Sequence, residues 1–172
     1  MRAHDPLDSF TFKFYCLLGV SWREMGSCGG QAMFLGSYDH KIDDKGRVIL
    51  PSRFRHALGS PIICTVGIER CMAIYPLDSW QTFVARFDEL PFSKEKSRNF
   101  KRVLFSMADE ITPDKTGRIL ISPSLRRYGG LEEDVSVIGV EDHIEIWDRV
   151  RWNDRRSTLL GDLGKMIEEV MQ

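Results

Sequence analysis

No stretch of this sequence reaches the roughly 18 consecutive apolar residues that a membrane helix needs, so it offers no candidate helical span. Its four cysteines, Cys16, Cys28, Cys64 and Cys71, form no CxxC pair, which removes the usual zinc and redox spacings and leaves free thiols in a reducing cytosol as the expected state. Charge of one sign is also missing. Lysine and arginine number 24 against 25 acids, for a net charge of -1, so any attraction to nucleic acid must come from local asymmetry. The common catalytic signatures are absent as well: there is no P-loop, no GxSxG and no HExxH, and neither His40 nor His56 has a serine or cysteine beside it in a nucleophile setting. Ser52 and Ser124 lie beside prolines at expected helix starts, where capping explains them. Asp39, His40, Asp43 and Asp44 lack EF-hand spacing and its sixth-position glycine. No catalytic role, metal, cofactor or small-molecule substrate is therefore expected.

What the sequence does contain is one short motif written twice. Asp43-Asp44-Lys45-Gly46-Arg47-Val48-Ile49-Leu50 returns as Asp114-Lys115-Thr116-Gly117-Arg118-Ile119-Leu120-Ile121. The shared pattern, Asp-x-x-Gly-Arg followed by three aliphatic residues, predicts a turn that carries a held basic side chain and leads into a buried strand. At the same offset Phe54-Arg55 falls on Leu125-Arg126, and Phe34 falls on Phe105. After one inserted residue, Gly67, Glu69 and Trp80 meet Gly139, Glu141 and Trp152, with the two glycines taken as turn residues. Residues 33 to 80 and 104 to 152 are thus two copies of one supersecondary unit. Two copies are too few for a solenoid, so a pseudo-twofold pair around one core is expected.

Each copy shows the order strand, turn, strand, short helix, strand, strand, helix. In the first, Gly36 to Ile42, Arg47 to Leu50, Ile62 to Val66 and Cys71 to Tyr75 suit strands, with a helix from Pro51 to Leu58 stopped by Gly59. In the second, Ser122 caps a helix stopped by Gly129, and Val135 to Val140 and His143 to Trp147 suit strands around Glu141-Asp142. Asp78 is expected to cap a helix with Trp80, Phe83, Val84 and Phe87 on one stripe. The predicted domains are 33-90 and 104-160, joined by a linking helix over 91-103 and followed by a tail over 161-172; the segment from Asp148, with Leu159, Leu160, Leu163 and Ile167, is expected to be helical, with fraying near Gly161 and Gly164. Residues 1-32 are expected to be disordered or the product of a mis-called start, with Met33 the natural first residue.

The charge asymmetry follows the motif. From Lys41 to His56 the bases (41, 45, 47, 53, 55) outnumber the acids (43, 44) by five to two, and from Asp114 to Arg127 four (115, 118, 126, 127) to one (114). Interlocked hairpins would bury Val48, Ile49, Leu50 and Ile119, Leu120, Ile121 while leaving Arg47 and Arg118 beside the turns. An arginine held there can grip a phosphate bidentately or read guanine O6 and N7. Asp43 and Asp114 would brace it, and Gly46 and Gly117 would make the turn. Lys45, Lys115 and Arg53 are further DNA-contact candidates. Arg55 and Arg126 either contact DNA or bridge the short helices, and the basic run from Lys94 to Arg102 is either a solvated helix face or a further contact.

Met33-Phe34-Leu35-Gly36, the run Asp-x-Lys-Gly-Arg-Val-Ile-Leu-Pro-Ser-Arg-Phe-Arg at 43 to 55, and Asp-Lys-Thr-Gly-Arg-Ile-Leu at 114 to 120 resemble the bacterial MraZ proteins over about residues 33 to 160. Those are transcriptional regulators of the division and cell-wall gene cluster, related to the AbrB-like swapped-hairpin fold. The resemblance implies an α+β fold in which two pseudo-symmetric β-β-α-β-β-α repeats form a double-split β-barrel with flanking helices. It implies a cytoplasmic, nucleoid-associated, ring-shaped homo-oligomer that binds short direct repeats of double-stranded promoter DNA through Asp43 with Arg47 and Asp114 with Arg118. The second copy departs in having Ser122 where a proline is usual. The competing expectation is a protein-interaction ring or antitoxin-like module of the same fold without a DNA role.

Overall fold

A computed structural model describes residues 33–171; the expectations for residues 1-32, with Cys16 and Cys28, lie outside the described residues. The first half runs β1 (Phe34–Lys41), β2 (Arg47–Ile49), α1 (Ser52–Leu58), β3 (Ile62–Val66), β4 (Met72–Pro76) and α2 (Leu77–Ala85). A connecting helix α3 (Glu95–Ser106) leads to β5 (Asp109–Ile111), β6 (Arg118–Leu120), α4 (Pro123–Gly129), β7 (Asp134–Glu141), β8 (His143–Asp148) and α5 (Arg149–Val170). The strand and helix order matches the doubled motif because the signals behind it are local: alternation, a turn glycine, a helix stop.

Strand pairing is where the two halves exchange. A six-stranded antiparallel sheet has the order β1-β7-β8-β4-β3-β5, and β2 pairs separately with β6. Each half keeps its own hairpin, β3 with β4 and β7 with β8, and lends its first strand to the other half: β1 lies on β7 and β5 on β3. Crossing the two halves this way buries a main core shared by both. Phe34, Leu50, Phe54, Ile119, Ile121 and Leu125, drawn from both halves, are all fully buried, and the Phe54 ring packs edge-on against Phe34 at 5.6 Å and Tyr38 at 5.2 Å.

Several expectations need correction. The barrel does not close; β1 and β5 are free edges of the six-stranded sheet. Ile49 is only half-buried and Leu120 is 57% exposed, because a strand alternates faces: Val48 and Leu50, and Ile119 and Ile121, are buried, and the residue between each pair turns outward. The linking helix runs through Ser106, since Leu104 is buried and its carbonyl accepts the Thr65 hydroxyl at 3.2 Å. That extension takes over the place of a strand start, so Phe105 is a helical residue lying edge-on to Trp80 and is no counterpart of the buried Phe34. Asp78 lies inside the first turn of α2, with no side-chain cap bond, whereas Asp148 caps α5 by accepting from the Arg151 amide at 2.9 Å. The expected helix after Asp148 is present, but it does not fray at the glycines: it runs unbroken through Gly161 and Gly164.

Gly67 and Gly139 are not equivalent turn glycines. Gly67 donates its amide to the Cys71 carbonyl in the loop between β3 and β4. Gly139 sits within β7, opposite Gly36 of β1.

Candidate nucleic-acid interface

The two motif turns have nearly the same backbone geometry. Asp43 donates its amide to the Arg47 carbonyl at 2.8 Å and accepts from Gly46 at 2.9 Å; Asp114 repeats this with Arg118 at 2.9 Å and Gly117 at 2.8 Å. Gly46 and Gly117 have φ of +79° and +76°, the left-handed region that glycine enters without a Cβ clash. The aspartate side chains finish each turn. Asp43 Oδ1 accepts from the amides of Lys45 and Arg47 at 3.0 and 2.8 Å, and Asp114 Oδ1 from Thr116 and Arg118 at 2.8 and 2.9 Å.

Three amino acids per strand then form one ribbon. Arg47 lies opposite Leu120, Val48 opposite Ile119, and Ile49 opposite Arg118. Since residues facing each other across an antiparallel ladder share a face, Arg47, Ile49, Arg118 and Leu120 all project from the outer side and Val48 and Ile119 from the inner. Diagonal neighbours in such a ladder are about 7–8 Å apart, so the two arginines are close companions on one surface. The sequence suggested two interlocked hairpins with equivalent basic tips; strand exchange makes them one ribbon flanked by two turns. Lys45 and Lys115 lie exposed in those turns, and Arg53 is exposed on α1.

Arg55 and Arg126 have a different job. Each packs over the turn glycine of the opposite half: a Cβ on Gly117 would lie 2.4 Å from Arg55 Cδ and Nε, and one on Gly46 would lie 3.2 Å from Arg126 Nη1. Arg55 Nε also donates to the Leu50 carbonyl at 2.8 Å. The amide of Leu50 reaches the Gly117 carbonyl at 2.9 Å, and that of Ile121 reaches Gly46 at 3.0 Å. These reciprocal contacts lock turn to helix across the pseudo-twofold. Their repetition in both copies was visible in sequence, but their direction was not, because it depends on the exchange.

The two arginines differ in the state of their side chains. The Arg47 Nε and Nη2 atoms donate to Asp43 Oδ2 at 2.9 and 2.8 Å. Those bonds hold the Asp43 carboxyl below its ordinary pKa and raise that of Arg47. Asp114 instead receives the Thr116 hydroxyl at 2.7 Å, and among the described residues no carboxylate pairs with the Arg118 guanidinium. The Arg118 amide and the Thr116 hydroxyl and amide bring the Asp114 carboxyl down to about 2.

That depression carries a sign. An unfolded aspartate titrates near about 3.9, so the Asp114 turn stabilises the fold above that pH and its contribution is lost as pH falls through about 2. Asp114→Asn should therefore flatten the acid limb: between pH 4 and pH 2.5 the urea midpoint of the parent falls further than that of the variant. Parallel limbs would show that the carboxylate does not hold this turn.

Asp39, His40, Asp43 and Asp44 do not converge. The Asp39 carboxylate accepts from Ser136 Oγ at 2.9 Å, and among the described residues no three His, Cys, Asp or Glu side chains are grouped to hold a metal ion. No described helix is long and apolar enough to cross a membrane.

Comparison with known families matches this arrangement twice: residues 33–103 and 104–161 each match the family described as "MraZ protein, putative antitoxin-like". The division falls between Val103 and Leu104, inside α3.

Proposed function

Because the chain belongs to the MraZ family, we propose that it is a sequence-specific DNA-binding transcriptional regulator without catalytic activity. The observation that carries this is the ribbon of β2 and β6, which has Arg47 and Arg118 on one outward face between two turns bearing Lys45 and Lys115. A two-stranded ribbon fits the major groove, where arginine recognises guanine O6 and N7 and an exposed aliphatic side chain such as Leu120 meets a thymine methyl. The turn lysines lie where phosphates flank a groove-bound ribbon. The expected targets are short direct repeats upstream of a division and cell-wall gene cluster, including the chain's own promoter, bound by a ring-shaped homo-oligomer at the nucleoid. One ribbon neutralises few phosphates and gives modest affinity; several ribbons on tandem repeats raise it through effective concentration.

The test is a titration of the chain against duplex DNA from its own upstream region at rising salt. With four basic side chains at each ribbon, affinity should fall with a log–log slope of about 3 to 4 per engaged ribbon, at roughly 0.9 per neutralised phosphate. Absence of binding even at low salt would sink the DNA reading. It would favour the second one, a protein-gripping module, which the exposed Leu120 on the ribbon and the antitoxin-like family description support.

A further inference from the structure

The last three turns of α5 stand without support from the rest of the described chain. Contacts that hold this helix lie near its start: Arg149 pairs with Asp134 at 2.9 Å, Arg151 donates to the carbonyls of Arg70 and Gly129, Trp152 packs on Trp147 at 5.6 Å, and Arg155 pairs with Glu69. Further on, Leu160, Leu163, Ile167 and Val170 are all exposed. Their 3-4-3 spacing is that of a seam that packs against another helix. The same segment contains Gly161 and Gly164, each costing about 1 kcal/mol relative to alanine in a helix interior, and most of a helix's stability in a protein comes from packing of its apolar face. A glycine-bearing helix with an uncovered apolar seam is a helix that another surface completes.

Charge identifies the surface. From residue 159 to 171 the helix has three acids, Asp162, Glu168 and Glu169, against one base, Lys165, for a net of -2. The opposite balance occurs on α3 and the residue before it: Lys94, Lys96, Arg98, Lys101 and Arg102 against Glu95, for a net of +4. On that helix Phe100 and Val103, one turn apart, are 41% and 56% exposed. We propose that the α5 tail of one copy docks on α3 of a second copy, its seam against Phe100 and Val103 and its acids against the basic run. Two α5 tails together would match seams but oppose like charges. Each subunit then has one donor helix and one acceptor helix, a heterologous arrangement that closes into a ring when the rotation permits. This deepens the assembly part of the proposed function and rests on it. It also gives the basic run from Lys94 to Arg102 a protein partner in place of DNA.

The experiment uses two full-length variants. One breaks the acceptor, Lys96→Glu with Arg102→Glu; the other breaks the donor, Leu163→Asp with Ile167→Asp. Thermal melts check that both fold, and sedimentation velocity reads the size. The parent should be a closed oligomer, each variant alone a monomer, and an equimolar mixture a two-chain species and nothing larger, because only one intact donor–acceptor pair remains. If the donor variant is monomeric while the acceptor variant keeps the parent's size, tails pair with tails and the proposal is overturned. If both variants keep the parent's size, assembly uses another surface and only this inference falls. A parent that is itself monomeric, at ten times the DNA-binding concentration, overturns the assembly reading together with the docking.

Discussion

Replacing Arg118 by alanine should weaken binding to the upstream DNA by about 5- to 150-fold per engaged ribbon, the cost of about 1–3 kcal/mol for losing a bidentate base contact. Because tandem ribbons multiply such losses, a gel shift with the parent's operator should show no retained band. Arg47→Ala should be severe for the same reason, but the two are not equivalent. In the free chain Arg47 is already bonded to Asp43 at 2.8 and 2.9 Å, so on the proposed reading it would meet DNA with its fork pre-oriented and one face occupied. Arg118 has no such partner among the described residues. The pair with Asp43 lies at the surface, where water and salt screen it, so Asp43→Asn should cost less binding than either arginine variant. If Arg47→Ala and Arg118→Ala both bind like the parent while remaining folded, the ribbon is a structural clasp and the DNA reading is wrong. A loss of affinity uniform across sequences, with the salt slope reduced by about one, would assign the arginine to phosphate; a loss confined to the cognate repeat would assign it to a base edge.

The largest stability effect is expected from Gly139→Ala. A methyl group there would lie 2.4 Å from the Phe34 carbonyl carbon, 2.5 Å from the Leu35 nitrogen and 2.6 Å from the Phe34 oxygen. All three atoms are backbone, so no rotamer change relieves the clash and β1 must move as a strand. Overpacked sites commonly lose about 1–3 kcal/mol, and a clash with backbone belongs at or above the top of that range. For a chain of this size a loss of about 3 kcal/mol lowers Tm by about 6–12 °C. The damage should be located as well as measured. Phe34 is fully buried and begins β1, and β1 leads into the Asp43 turn, so hydrogen exchange of the β1 amides should rise ahead of global unfolding. Gly117→Ala makes an informative contrast. Its Cβ would also meet atoms at 2.4 Å, but these belong to the Arg55 side chain, which can swing aside at the loss of its bond to the Leu50 carbonyl; to that is added the cost of a φ of +76°, roughly 1–2 kcal/mol for a residue with a Cβ. Equal losses at the two positions would show that β1 yields more easily than its pairing with β7 suggests.

Legibility in the sequence followed the range of the forces involved. The Asp-x-x-Gly-Arg turn could be recognised because every bond that makes it lies within five residues: two backbone bonds, the aspartate accepting turn amides, and a glycine at positive φ. The repeat could be recognised because each copy solves the same local problem. The equation of Phe34 with Phe105 failed because a helix ending at Ser106 absorbed the second position, and helix length there depends on Leu104 finding the core. Ile49 and Leu120 were assigned to the interior because three aliphatics in a row look buried. Alternation turns the third side chain of each strand away from its neighbour, and which face meets the core is set only by the partner strand.

The sequence by itself determined the alphabet of the molecule: two related units, two braced turns, a basic arginine after each, and the order of strands and helices between them. Interlocking was expected, but tertiary structure alone decided which strands exchange and in what register, and that exchange is what brings Arg47 and Arg118 onto one face of one ribbon. Neither arginine's neighbour across the ladder is near it in the chain, and no local preference selects it. Pairing of that kind is chosen by burying one common core, in which Val48 and Ile119 face inward together and the residues on either side of them are turned out.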